Sequence, residues 1–185
     1  MRRGTGSDRQ LRAFHEAGHV VATWRLKLPV PGASLTRQFC APSLDMLTTV
    51  EGDTRVGLLE RRALALMAGV AAESYLTQDE DWWGAPEDRQ AVERLIAELI
   101  ELGQPPSPRD EVEANLVAAH EHDAHSLGWR LFTWRTDQLM ALLPIRSAVA
   151  TLATELLSRG SLSAAEVAKV IRQGVAGADP DLLMG

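Results

Sequence analysis

His15, Glu16 and His19 stand in the arrangement His-Glu-x-x-His, within the run AFHEAGHVVAT from Ala13 to Thr23. On a helix of about 3.6 residues per turn, side chains four apart lie one above the other, so His15 and His19 can present two imidazoles to one metal ion. Glu16 follows the first ligand by one residue and can take the proton of a water held at the metal's open position. Zinc suits this donor set, because it lowers the pKa of such a water towards neutrality and polarises a scissile carbonyl. At ordinary residue frequencies the pattern arises by chance in roughly one chain in a few hundred of this length. A plain helix that happens to carry two histidines is therefore the lesser explanation.

The element that must carry these residues is a helix from about Ser7 to Lys27. Phe14, Ala17, Val20, Val21, Trp24 and Leu28 form its apolar face, Ser7 with Gln10 offers a capping box, and Pro29 and Pro31 bar its continuation. Gly18 inside this helix costs about 1 kcal/mol relative to alanine, which predicts a close neighbour at that point. From Gly32 to Asp53 short apolar runs among glycine, proline and serine predict two or three short strands, a small sheet or hairpin. Such a segment can hold an extended peptide by its edge.

Arg55 to Leu76 is apolar nearly all round and predicts a core helix, with Gly69, Ala71 and Ala72 forming a smooth face for the helix of Gly18. Glu73 lies just beyond that face. A carboxylate there either reaches solvent at the helix end or serves the metal site, as ligand or as hydrogen-bond partner of a ligand histidine. A third helix starts near Pro86, where Glu87 and Asp88 fall at its positive end, and the simple reading of Asp88 is an acid stabilising a helix start. Beyond the breaker QPPSPRD, the stretch from Glu111 to Leu142 reads as one long helix or two, with an interruption at Gly128. His120, His122 and His125 lie on what reads as its solvated face. A helix from Ile145 to Arg159 and a last one, capped by Ser163 and Glu166 and ending near Gly174, complete a mainly α single domain. Its core covers about residues 7–174, with 175–185 a loose tail.

The chain has 185 residues, 45% of them hydrophobic, and a net charge of -6. That balance argues against nucleic acid as a partner. No stretch of 18 apolar residues is present, so no transmembrane segment is expected, and Arg2 and Arg3 lack the apolar run of an export signal. The single cysteine, Cys40, excludes an internal disulfide; a cytoplasmic setting is the expectation.

A catalytic zinc normally has three protein ligands and an open position. A third histidine six residues past the second is one common solution, but Ala22 and Arg25 occupy the positions of its glycine and histidine. The third ligand must come from farther along, and a carboxylate on a later helix fits best. Here FHEAGHVVA, then ALMAGVAAESYL, then GAPEDRQAV resemble, in order and spacing, the peptidase domain of the FtsH-type ATP-dependent zinc metallopeptidases. LLSRGSLSAAEVAKVI is similar to that family's closing segment. The resemblance implies a helical zinc-metallopeptidase domain in which His15, His19 and Asp88 hold the metal, Glu16 is the base and Glu73 orients a ligand. It departs from the family in having no Gly-x-x-x-x-Gly-Lys-Ser/Thr phosphate loop. The expectation is thus a stand-alone zinc endopeptidase acting on flexible or unfolded polypeptide, with room for a homo-oligomer and for a separate ATPase partner. The alternative is a metal-binding scaffold or regulatory module derived from such a peptidase, with little or no hydrolysis.

Overall fold

The computed structural model describes residues 5–30, 32–36, 54–77, 86–118 and 123–178. Among these are seven helices: α1 (Thr5–Arg25), α2 (Arg55–Thr77), α3 (Pro86–Glu101), α4 (Glu111–Ala118), α5 (Ala124–Ala141), α6 (Leu143–Arg159) and α7 (Ala164–Ala178). Two short strands, β1 (Ala33–Ser34) and β2 (Ser161–Leu162), pair antiparallel, Ala33 opposite Leu162. The fold is mainly α with one small sheet, as the hydrophobic pattern predicts. No single described helix is long and apolar enough to cross a membrane.

The helices pack in a sequence of neighbours: α7 on α6, α6 on α1, α1 on α2, and α3 with α5 on the far side of α2. This order follows from the residues. A continuous block from Ala63 to Ala72 is buried, so α2 must be covered on both sides. Its start is set by Thr54, whose hydroxyl accepts from the Gly57 N–H at 3.1 Å. The two sides of the core join in one cluster containing Val20, Leu59, Ile96, Phe132, Leu152 and Ile171.

Helix ends differ from the sequence reading in instructive ways. α1 begins at Thr5, so Ser7 falls inside it rather than at its cap. It ends at Arg25, four residues before Pro29, and Lys27 just beyond it adopts φ 57°. The Lys27 N–H bonds the Trp24 carbonyl at 3.1 Å and the Leu28 N–H bonds that of Thr23 at 3.0 Å, the paired pattern that closes a helix on a left-handed residue. Gly128 does not interrupt a helix. The break lies upstream, where Asp123 caps α5 by accepting from the His125 and Ser126 N–H groups at 3.0 Å each. Gly128 instead lets α5 close on Ile96 and Pro106. The Ser163–Glu166 cap forms as expected, and α7 then runs four residues past Gly174, with Val175 buried, so 175–178 belong to the helix; the rest of the expected loose tail, 179–185, lies outside the described residues.

Among the described residues the strand after α1 pairs with the α6–α7 connection, and the Leu35 N–H extends the pairing to the Gly160 carbonyl at 2.9 Å. The rest of the predicted strand region, 37–53 with Cys40, lies outside the described residues, as do His120 and His122.

Gly18 has the close neighbour that its cost implies. A Cβ there would fall 2.3 Å from the Ala68 carbonyl oxygen and 2.6 Å from the Ala72 Cβ. Gly18→Ala gains about 1 kcal/mol of helix propensity. Overpacking against a backbone atom costs about 1–3 kcal/mol or more and wins, because a carbonyl inside α2 cannot swing away. The variant is expected to unfold at lower urea than the parent; an equal or higher midpoint would show that the two helices separate freely.

Candidate metal centre

Residues from two helices meet at one point. His15 and His19 stand one turn apart on the buried face of α1, and Asp88 reaches them from the first turn of α3. His15 Nε2 lies 2.9 Å from His19 Nε2 and 3.0 Å from Asp88 Oδ2, and His19 Nε2 is 3.1 Å from the same oxygen. Three donor atoms thus form a nearly equilateral triangle. Its edges come close to the roughly 3.3 Å that separates ligands of a tetrahedral ion with bonds of about 2.0–2.1 Å. Asp88 is buried with its oxygen directed at the imidazoles, so capping α3 is not its main work.

The outer nitrogens are also engaged. His19 Nδ1 donates to the Ala65 carbonyl of α2 at 2.9 Å, which orients the ring so that Nε2 faces Asp88 and His15. His15 Nδ1 approaches Glu73 Oε1 to 2.9 Å, close enough for strong attraction but without the alignment of a full hydrogen bond. Glu73 therefore sits behind a candidate ligand while its side chain keeps partial access to solvent. The two rings are perpendicular, at 89°, with centroids 4.5 Å apart.

Charges in the cluster are coupled. Burial pulls His15 down, but the Asp88 and Glu73 carboxylates outweigh it and raise its pKa to about 9. His19 is pushed down, first by burial and then by the charge on His15, against the upward pull of Asp88. Burial alone would raise Asp88; its hydrogen bonds to both imidazoles hold it well below the usual carboxylate range instead. A cation held between the three groups would have to displace any proton they share.

Glu16 is 4% exposed, on the same helix and one residue past His15. Tyr75, one candidate for stabilising an oxyanion, turns away. It lies two residues beyond Glu73, hence on the opposite side of α2, with the Arg146 guanidinium 4.7 Å above its ring. Beside Asp88, Leu66, Met67, Val70, Val92 and Trp129 line a shallow cleft that encloses about 10 Å³, room for one water molecule. That is smaller than the roughly 300–1,000 Å³ usual for a ligand pocket. The sheet edge expected to hold a peptide falls on 37–53, outside the described residues.

Sequence reasoning missed two contributors. The Ala65 carbonyl leaves no trace in a sequence, since any residue would supply it. The seat that Gly69 provides for the rings had a signal, a glycine within an alanine-rich buried helix, but that glycine was assigned only to the contact between helices. No protein-family model and no curated protein matches the chain.

Proposed function

We propose that the chain is a zinc metallopeptidase that hydrolyses peptide bonds in flexible or unfolded polypeptide. The observation that carries this reading is the convergence of His15 Nε2, His19 Nε2 and Asp88 Oδ2 within 2.9–3.1 Å, next to a buried glutamate in the His-Glu-x-x-His arrangement. Three donors, rather than the four of a structural zinc site, leave a position for substrate and water. The motif order shared with the FtsH-type peptidases supports the same assignment. Zinc, when bound, supplies Lewis acidity towards water and the scissile carbonyl.

The chain's own residues do the rest. His19, anchored through Nδ1 to the Ala65 carbonyl, and His15, held from behind by Glu73, offer lone pairs from fixed directions. Asp88 adds the negative charge that balances the cation. Glu16 accepts a proton from the attacking water at its carboxylate and returns it to the leaving amine.

The test uses the full chain loaded with one equivalent of zinc and a reduced, unfolded polypeptide. Cleavage is expected, is lost on chelation and returns with zinc. Stoichiometric zinc without cleavage would favour the metal-retaining scaffold, a reading that draws on the small size of the cleft beside Asp88. The ligand set has its own test. Asp88→Ala removes one donor and the charge that holds both imidazoles in place, so zinc affinity should fall by more than about 100-fold, beyond the usual cost of losing an outer partner. Titration against a chromophoric chelator reads this directly, and unchanged affinity would remove Asp88 from the set.

A further inference from the structure

The wall of the centre opposite α1 is the backbone of α2. Two positions of that helix, one turn apart, face His19. At the first, the Ala65 carbonyl accepts from Nδ1. At the second, Gly69, a Cβ would fall 2.5 Å from His19 Cε1, 2.5 Å from His19 Nε2 and 2.9 Å from His15 Cε1. Such distances are not met by real Cβ atoms, and one of the clashing atoms is the donor nitrogen itself.

Alanine is the better helix former, and α2 uses it at positions 63, 65, 68, 71 and 72 around this one. A small residue would serve helix packing equally well. Only the absence of any side chain lets both rings rest on the backbone. Nor can His19 turn aside, because its Nδ1 bond to Ala65 holds the ring from the other edge.

We propose that Gly69 is a positioning residue of the metal centre, the seat that keeps the His15 and His19 Nε2 atoms 2.9 Å apart and turned towards Asp88. The inference rests on reading His15, His19 and Asp88 as a metal centre, and not on hydrolysis. Gly69 differs in this from Gly18, whose missing Cβ makes room for the backbone and a methyl group of α2 rather than for a ligand.

The experiment compares the parent chain with Gly69→Ala, using cobalt(II) as a spectroscopic probe and zinc competition for affinity. The expected result is a zinc affinity lower by about 10–100-fold, the range found when a ligand loses its orienting partner. The cobalt visible absorption should change in position or intensity. Unchanged affinity and spectrum would overturn the proposal. Gly69→Ala is also measured, metal-free, in a background lacking both rings, His15→Ala with His19→Ala. Lowered thermal stability in the parent, with none lost in the ringless background, assigns the clash to the imidazoles even if the single variant is too unstable to load. An equal loss in both backgrounds assigns the glycine to helix packing and overturns the proposal. If the parent itself binds neither metal, the metal reading fails, a result distinct from a parent that binds and a variant that binds as well.

Discussion

Glu16→Gln is expected to leave zinc binding intact and to lower peptide hydrolysis by about 100- to 10,000-fold, the range that a positioned general base contributes. Glutamine has the same shape, so it fits the buried site that Glu16 occupies at 4% exposure. It cannot take a proton. The three donors, His15, His19 and Asp88, are untouched, and zinc stoichiometry should match the parent. The loss should fall on kcat and leave KM near its starting value, because the carboxylate is needed only as the proton moves. Turnover within threefold of the parent, at equal zinc content, would show that another group is the base.

The second large effect concerns stability and lies away from the metal. Arg135 of α5 is buried and clasps Glu113 of α4 through Nε to Oε1 at 2.9 Å and Nη2 to Oε2 at 2.7 Å. Its Nη2 also donates to the Ser107 carbonyl at 2.7 Å, and the Arg109 N–H reaches Glu113 Oε2 at 2.8 Å. One pair of charges thereby ties the 104–110 connection and α4 to α5, with Glu60 of α2 3.5 Å from Arg135 Nη1. Removing one partner of a buried pair strands the other, at a cost of about 3–5 kcal/mol. Glu113→Ala should accordingly lower Tm by roughly 10 °C in a domain of this size. Replacing both partners by apolar residues should recover most of the loss. A Tm within 2 °C of the parent after Glu113→Ala would mean that α4 contributes little to the fold.

This contribution has a pH signature. The Arg135 guanidinium is the main cause that holds Glu113 below its ordinary value of 4.5, aided by the Arg109 N–H. A depressed carboxylate stabilises the folded chain fully above its unfolded pKa and loses that effect as pH falls through its native value. The stability gap between parent and Glu113→Ala should therefore be constant above pH 4.5 and narrow below it.

The comparison of sequence with structure separates two kinds of information. Helix periods and the His-Glu-x-x-His spacing are local, and they located α1, α2 and the faces that meet there. Asp88 was different. On pattern alone it was an acid at a helix start; only a resemblance to the FtsH-type peptidases suggested a ligand, and the fold brings it to the imidazoles. Glu73 was ambiguous for the same reason, since its partner lies on another helix. The Glu113–Arg135 clasp was invisible because both residues fall where exposed charges are normal. β1 was legible as a strand, but its partner among the described residues sits beyond five intervening helices, and nothing in a two-residue strand encodes so distant a register.

That long-range pairing orders events on the ribosome. α1 emerges early with two of the three donors, α2 and α3 follow with the seat and the aspartate, yet the helix that covers the other side of α1 and the strand that clips down β1 come near the end of synthesis. Until then the face of α1 that packs on α6 has no cover, although all three donors are already synthesised. Truncation before α6 would yield a chain that keeps His15, His19 and Asp88 and lacks the helix that covers the other side of α1.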